Sequence, residues 1–121
     1  MRNYKNIKAY QLADAMVLAI YEATKKFPKE EIYGLVSQLR RAAVSIPTNI
    51  AEGASRQHEK DYVHFLYIAR GSAAEVEYLS GLAHRLEYMN DQDHESIFAA
   101  VVEVAKTLVG LIRVIKDSCS Q

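Results

Sequence analysis

A chain of 121 residues, half of them hydrophobic and only two of them proline, is long enough to bury a core as one domain and too apolar to stay disordered. Its 15 basic and 15 acidic side chains cancel, which removes the overall basic excess of a dedicated nucleic-acid binder. No uncharged run approaches the roughly 18–20 residues of a membrane span, MRNYKNIKAY holds no apolar core of the signal-peptide type, and the lone Cys119 cannot close a disulfide within the chain, so a reducing cytoplasm is the expected location.

Tryptophan is absent while alanine, leucine, valine and glutamate are plentiful, which favours helix over strand. The first helix is expected at residues 7–26, with Asn6 as N-cap. Ala9, Ala13, Met16, Ile20, Ala23 and Phe27 recur at spacings of four and three, the seam of a bundle helix. Leu12, Val17, Ala19 and Tyr21 widen it. Phe27-Pro28-Lys29 is a turn, because proline cannot continue one helix and suits the start of the next.

The second helix is expected at residues 29–52, closed by Gly53 in a left-handed conformation. Ile32, Leu35, Leu39, Ala43, Ile46 and Ile50 make its apolar stripe. Pro47 removes an N–H and crowds the carbonyl one turn back, yet the apolar spacing passes through it, so one helix kinked at Pro47 is expected rather than two short ones. Beside the stripe, Arg41, Ser45, Asn49 and Glu52 share a side, and a hydrogen-bonded row against Arg70 and Glu75 of the third helix is predicted as a structural polar network.

Ser55 can cap a third helix at residues 56–88. One stripe there runs from Tyr62 through Ala69, Ala73, Val76 and Leu79 to Leu86, and a second holds Val63, Tyr67, Ala74 and Tyr78 around Arg70 and Arg85. Asn90 caps a fourth helix at residues 91–116, with a frayed tail from Asp117 to Gln121. It too carries two rows: Ile97, Val101, Val104, Leu108, Leu111 and Ile115, and beside them Phe98, Val102, Ala105, Val109 and Ile112. A lone bundle needs one wide apolar face per helix, so the second rows predict an oligomer interface built from Tyr67, Tyr78, Phe98, Val102 and Val109. The expected fold is therefore all-α, a single antiparallel up-down four-helix bundle over residues 1–121.

The string QLRRAAVSIPTNIAEG, with FPKEEIYGL before it and FLYIARGSAAEVEYL after it, resembles the four-helix bundle family encoded in intervening sequences of bacterial 23S rRNA genes. The resemblance covers residues 5–115 and implies a homo-oligomeric bundle, a pentamer among relatives, with no enzymatic activity, catalytic residue or cofactor to carry over. A more distant resemblance, to the accessory protein of diversity-generating retroelements, implies RNA or DNA as an alternative partner, although that protein is strongly basic and this chain is neutral.

The charge is unevenly spread. Residues 1–60 hold 10 Lys/Arg against 6 Asp/Glu, and residues 61–121 hold 5 against 9. The candidates for phosphate contact are Arg40, Arg56, Lys60, Lys25, Lys26 and Lys29, with Arg40 expected to be exposed and Arg41 tied into the polar row. A di-iron bundle would need paired Glu-x-x-His motifs, and the sequence has only Asp61-x-x-His64 and Asp91-x-x-His94, with His58 and His84 isolated. No phosphate loop, nucleophile elbow or Cys-x-x-Cys pair is present, so neither metal, small-molecule ligand nor catalysis is expected.

Overall fold

A computed structural model describes residues 2–119, and within them every regular element is helical. After a short 3₁₀ turn at Tyr4–Asn6, helix α1 spans Lys8–Thr24. Asn6 is not its cap. The residue before α1 is Ile7, which offers no side-chain bond, and the capping asparagine is Asn3, whose Oδ1 accepts from the Lys5 amide at 3.1 Å. The predicted seam Ala9, Ala13, Met16, Ile20, Ala23 and Phe27 is buried.

A 3₁₀ turn at Lys29–Glu31 and wider π-type turns at Ile32–Val36 lead into α2, Ser37–Ala54. The backbone leaves helical angles at Gly34 (φ −108°, ψ −110°), and α2 itself runs on through the buried Pro47. The wider turns rotate Ile32 off the apolar stripe, so it is 49% exposed, whereas Leu39, Ala43, Ile46 and Ile50 are 0% exposed. Gly53 is not a left-handed cap either. It lies inside the last turn, where a Cβ would stand 2.8 Å from Phe65 Cβ and 3.2 Å from the Tyr62 carbonyl, so its role is to let α3 approach.

Ser55 closes α2 instead of capping the next helix, its hydroxyl donating to the Glu52 carbonyl at 2.7 Å. Helix α3, Glu59–Arg85, starts after His58 with Glu59 and Asp61 in its first turn, where acids complement the helix dipole. It ends three residues before the expected boundary at Tyr88. Glu87 takes φ 65°, its amide donating to the His84 carbonyl at 3.0 Å and the Tyr88 amide to the Ala83 carbonyl at 2.9 Å, which is the Schellman pattern. Helix α4 spans Asp91–Cys119, capped by Asn90, whose Oδ1 accepts from the Asp93 amide at 2.7 Å. Asp117, Ser118 and Cys119, expected to fray, continue this helix, and the rest of that tail lies outside the described residues.

Cross-helix contacts fix the order of packing. Lys26 at the end of α1 pairs with Asp93 at the start of α4 (3.1 Å), and Tyr88 beyond α3 donates to Glu31 ahead of α2 (3.2 Å). Lys116 near the end of α4 meets the Tyr67 hydroxyl near the start of α3 (3.3 Å). Arg2 brings the front of the chain to the end of α2, donating to the carbonyls of Ala54 (3.3 Å) and Arg56 (3.0 Å), pairing with Glu59 and lying over the Tyr62 ring. Each joins the end of one element to the beginning of another, the pairing that an up-and-down order requires. The seams of α1 to α4 meet in one hydrophobic cluster, which sets what the outside can carry.

Candidate functional site

On α4, Ile97, Val101, Val104 and Leu108 point into the core, 0–1% exposed. Phe98, Val102 and Val109 sit one position further round, at spacings of four and seven, so they share a strip beside the buried one. They are 46%, 38% and 36% exposed. On α3 the matching strip carries Tyr67 and Tyr78, 42% and 61% exposed, eleven residues or about three turns apart. Lys116 lies over the Tyr67 ring at 5.8 Å and Arg85 over Tyr78 at 6.0 Å. The five residues predicted for the interface are thus all exposed, three along α4 and two along α3; Leu18, Tyr33 and Val114 are exposed further, at 65%, 96% and 66%.

Two helix-interior glycines adjoin the tyrosines of α3. Gly71 follows Tyr67 by one turn and Gly81 follows Tyr78 by three residues, and a Cβ at either would meet nothing within 4 Å. A helix-interior glycine costs about 1 kcal/mol against alanine, and no neighbour within the chain demands the missing side chain.

The polar row on α2 forms only in part. Ser45 Oγ and Ser72 Oγ are 2.9 Å apart, joining α2 to α3, and Asn49 Nδ2 donates to the Ser45 carbonyl at 2.7 Å and to its hydroxyl at 3.0 Å. Glu52 turns instead to Arg56 (2.8 Å). Arg41, Arg70 and Glu75 are exposed and make no hydrogen bond or ion pair among the described residues, so Ser72, not Arg70 or Glu75, supplies the α3 half of the link. Serine reaches because the helices are close there, while the long side chains gain more from water.

The two arginines of α2 also exchange their expected places. Arg40 is half-buried, with Nε donating to Thr24 Oγ1 at 2.8 Å, an Nη donating to the Tyr21 carbonyl at 3.3 Å and its guanidinium 4.4 Å from the centre of the Tyr21 ring. Thr24, buried at 3% exposure, was not singled out by the sequence pattern, and it is the acceptor that draws Arg40 inward. Of the other phosphate-contact candidates, Lys25 pairs with Glu22 (2.9 Å), Lys26 with Asp93, and Arg56 with Glu52 while lying 4.7 Å over Phe65. Lys29 and Lys60 are exposed on different elements. These six are therefore not gathered into one cationic patch.

His84 is not isolated. Its Nε2 lies 2.7 Å from Asp91 Oδ1, and its ring stacks on His94 at 4.2 Å and 7°. Even so, no three His, Cys, Asp or Glu side chains among the described residues are placed to hold a metal ion. No helix among them is long and apolar enough to cross a membrane.

The model of the family described as "23S rRNA-intervening sequence protein" matches residues 5–110. Among solved structures, a protein with unknown function from the S23 ribosomal protein family of Bacteroides thetaiotaomicron VPI-5482 superposes with a TM-score of 0.80 at 28% identity, over 87% of this chain and 95% of that one. Among curated proteins, none matches the sequence.

Proposed function

We propose, from the premise that the chain belongs to the family of 23S rRNA-intervening sequence proteins, that it is a non-enzymatic helical scaffold that assembles with copies of itself through the α3–α4 face. The observation that carries this reading is that five large apolar side chains of the neighbouring helices α3 and α4 are each at least 36% exposed, with two interior glycines of α3 that have open space before them. Exposed apolar area of this kind is a liability in a monomer, and glycine lets a neighbouring backbone come near. The family resemblance implies five copies, and we place the assembly in the cytoplasm.

Sedimentation velocity over a range of concentrations tests it. The wild-type chain is expected to run as an oligomer, and Phe98→Asp with Val102→Asp to run as a folded monomer, because a buried unpaired carboxylate at the contact would be strongly unfavourable. A wild-type chain that stays monomeric at every concentration overturns the proposal.

A further inference from the structure

Where the C-terminal end of α4 lies beside the first half of α3, a cavity of about 300 Å³ opens to the surface, lined by Tyr67 and Arg70 of α3 and by Val109, Arg113, Lys116 and Asp117 of α4. Three cations face one carboxylate there. Arg70 and Arg113 are exposed and make no hydrogen bond, ion pair or ring contact among the described residues, in contrast to Arg2, Arg40 and Arg56, each engaged within the chain. Lys116 Nζ donates to the Tyr67 hydroxyl at 3.3 Å, and both residues line the cavity. Two long cationic side chains left unpaired on facing helices, converging on one concave space, form an arrangement that solvation alone does not require.

We propose that this cavity binds a phosphate group. Guanidinium forks from two helices match the tetrahedral oxygens of phosphate in a way that a point charge does not, and the lysine and phenol add donors from the side. The size fits a small anion or one phosphate of a larger molecule, at the bottom of the range for ligand sites. All of the lining comes from one chain, and Tyr67 and Val109 belong both to the cavity and to the apolar face. In an oligomer it would lie on the rim of the contact, where polar groups belong.

Calorimetric titration at fixed ionic strength tests this with inorganic phosphate, AMP, a short single-stranded RNA and, as control, acetate. The phosphate-bearing probes are expected to bind and acetate not. Arg70→Ala and Arg113→Ala are each expected to weaken binding by about tenfold or more, and Arg41→Ala, an exposed arginine elsewhere, to leave it unchanged. RNA binding far tighter than phosphate identifies a polynucleotide backbone as the source of the group; equal affinities identify free phosphate. Amide NMR shifts on the wild-type chain, concentrated at residues 67–70 and 109–116, map the site without any substitution. Equal responses to phosphate and acetate, or shifts spread over the whole basic surface, overturn the proposal. Sedimentation with and without phosphate separates its failure from failure of the assembly reading.

Discussion

At Tyr62 the phenol is 3% exposed, and burial raises its pKa above the ordinary 10.0, with the Arg2 guanidinium pulling the other way. A raised value means that the folded state favours the neutral phenol. The stabilisation is therefore complete below about pH 10 and is lost as pH rises through the folded value, since the unfolded chain gives up its proton first. Urea midpoints measured across that alkaline range are expected to fall less steeply for Tyr62→Phe than for the wild type; parallel declines would refute this. Single residues were also where the sequence was least legible. Arg40 and Arg41 lie about 100° apart on one helix, and what sends the first inward is Thr24, a partner sixteen residues away on α1. Gly53 carried the composition of a helix stop and serves a close approach, while Glu87, with no such composition, takes the left-handed turn. Side-chain type indicates what a backbone position tolerates, and the neighbours decide which tolerance is used.

The helices themselves were legible because periodicity reports burial, and burial is what the core demands. The seam of α1 is buried where the spacing placed it, that of α3 except Leu86, which lies past the helix end and is 47% exposed, and that of α4 except the partly buried Leu111, and the α2 stripe continues through Pro47 without a slip. The ends were harder to read, because caps depend on a few polar bonds. The entry to α2 depends on Glu31, whose carboxylate accepts from the Leu35 amide at 3.0 Å and from the Tyr88 hydroxyl at 3.2 Å. Glu31→Ala is expected to cost about 1–2 kcal/mol in chemical denaturation. Tyr88→Phe is expected to cost less, and the double variant less than the sum, because both changes remove the same hydrogen bond. Strict additivity would show that the bond contributes nothing.

For the whole molecule, the four seams close one core and leave the α3–α4 face outside it. The sequence separated the rows only in part: Phe98, Val102, Val109, Tyr67 and Tyr78 are exposed as the second rows predict, but Ile112 of that row is buried in the core while Leu111 of the core row is only partly buried. The cavity beside Tyr67 could not, because Arg70 and Arg113 are separated by forty-three positions and meet only through the packing of α3 on α4. If copies cover the face, folding and assembly are linked by mass action. The wild-type melting temperature is expected to rise with protein concentration and that of Phe98→Asp with Val102→Asp to stay constant; a wild-type value independent of concentration would separate the two processes.

The contact made by Arg2 reaches beyond local stability. One side chain at the front of the chain holds the carbonyls of Ala54 and Arg56, the carboxylate of Glu59 and the ring of Tyr62, so the leading segment acts as a clasp on the corner between α2 and α3. Trimming the leading residues would therefore loosen a corner fifty positions downstream rather than remove an idle extension. A circular permutant opened between Arg56 and His58 would have to rebuild that clasp before its central hairpin could set.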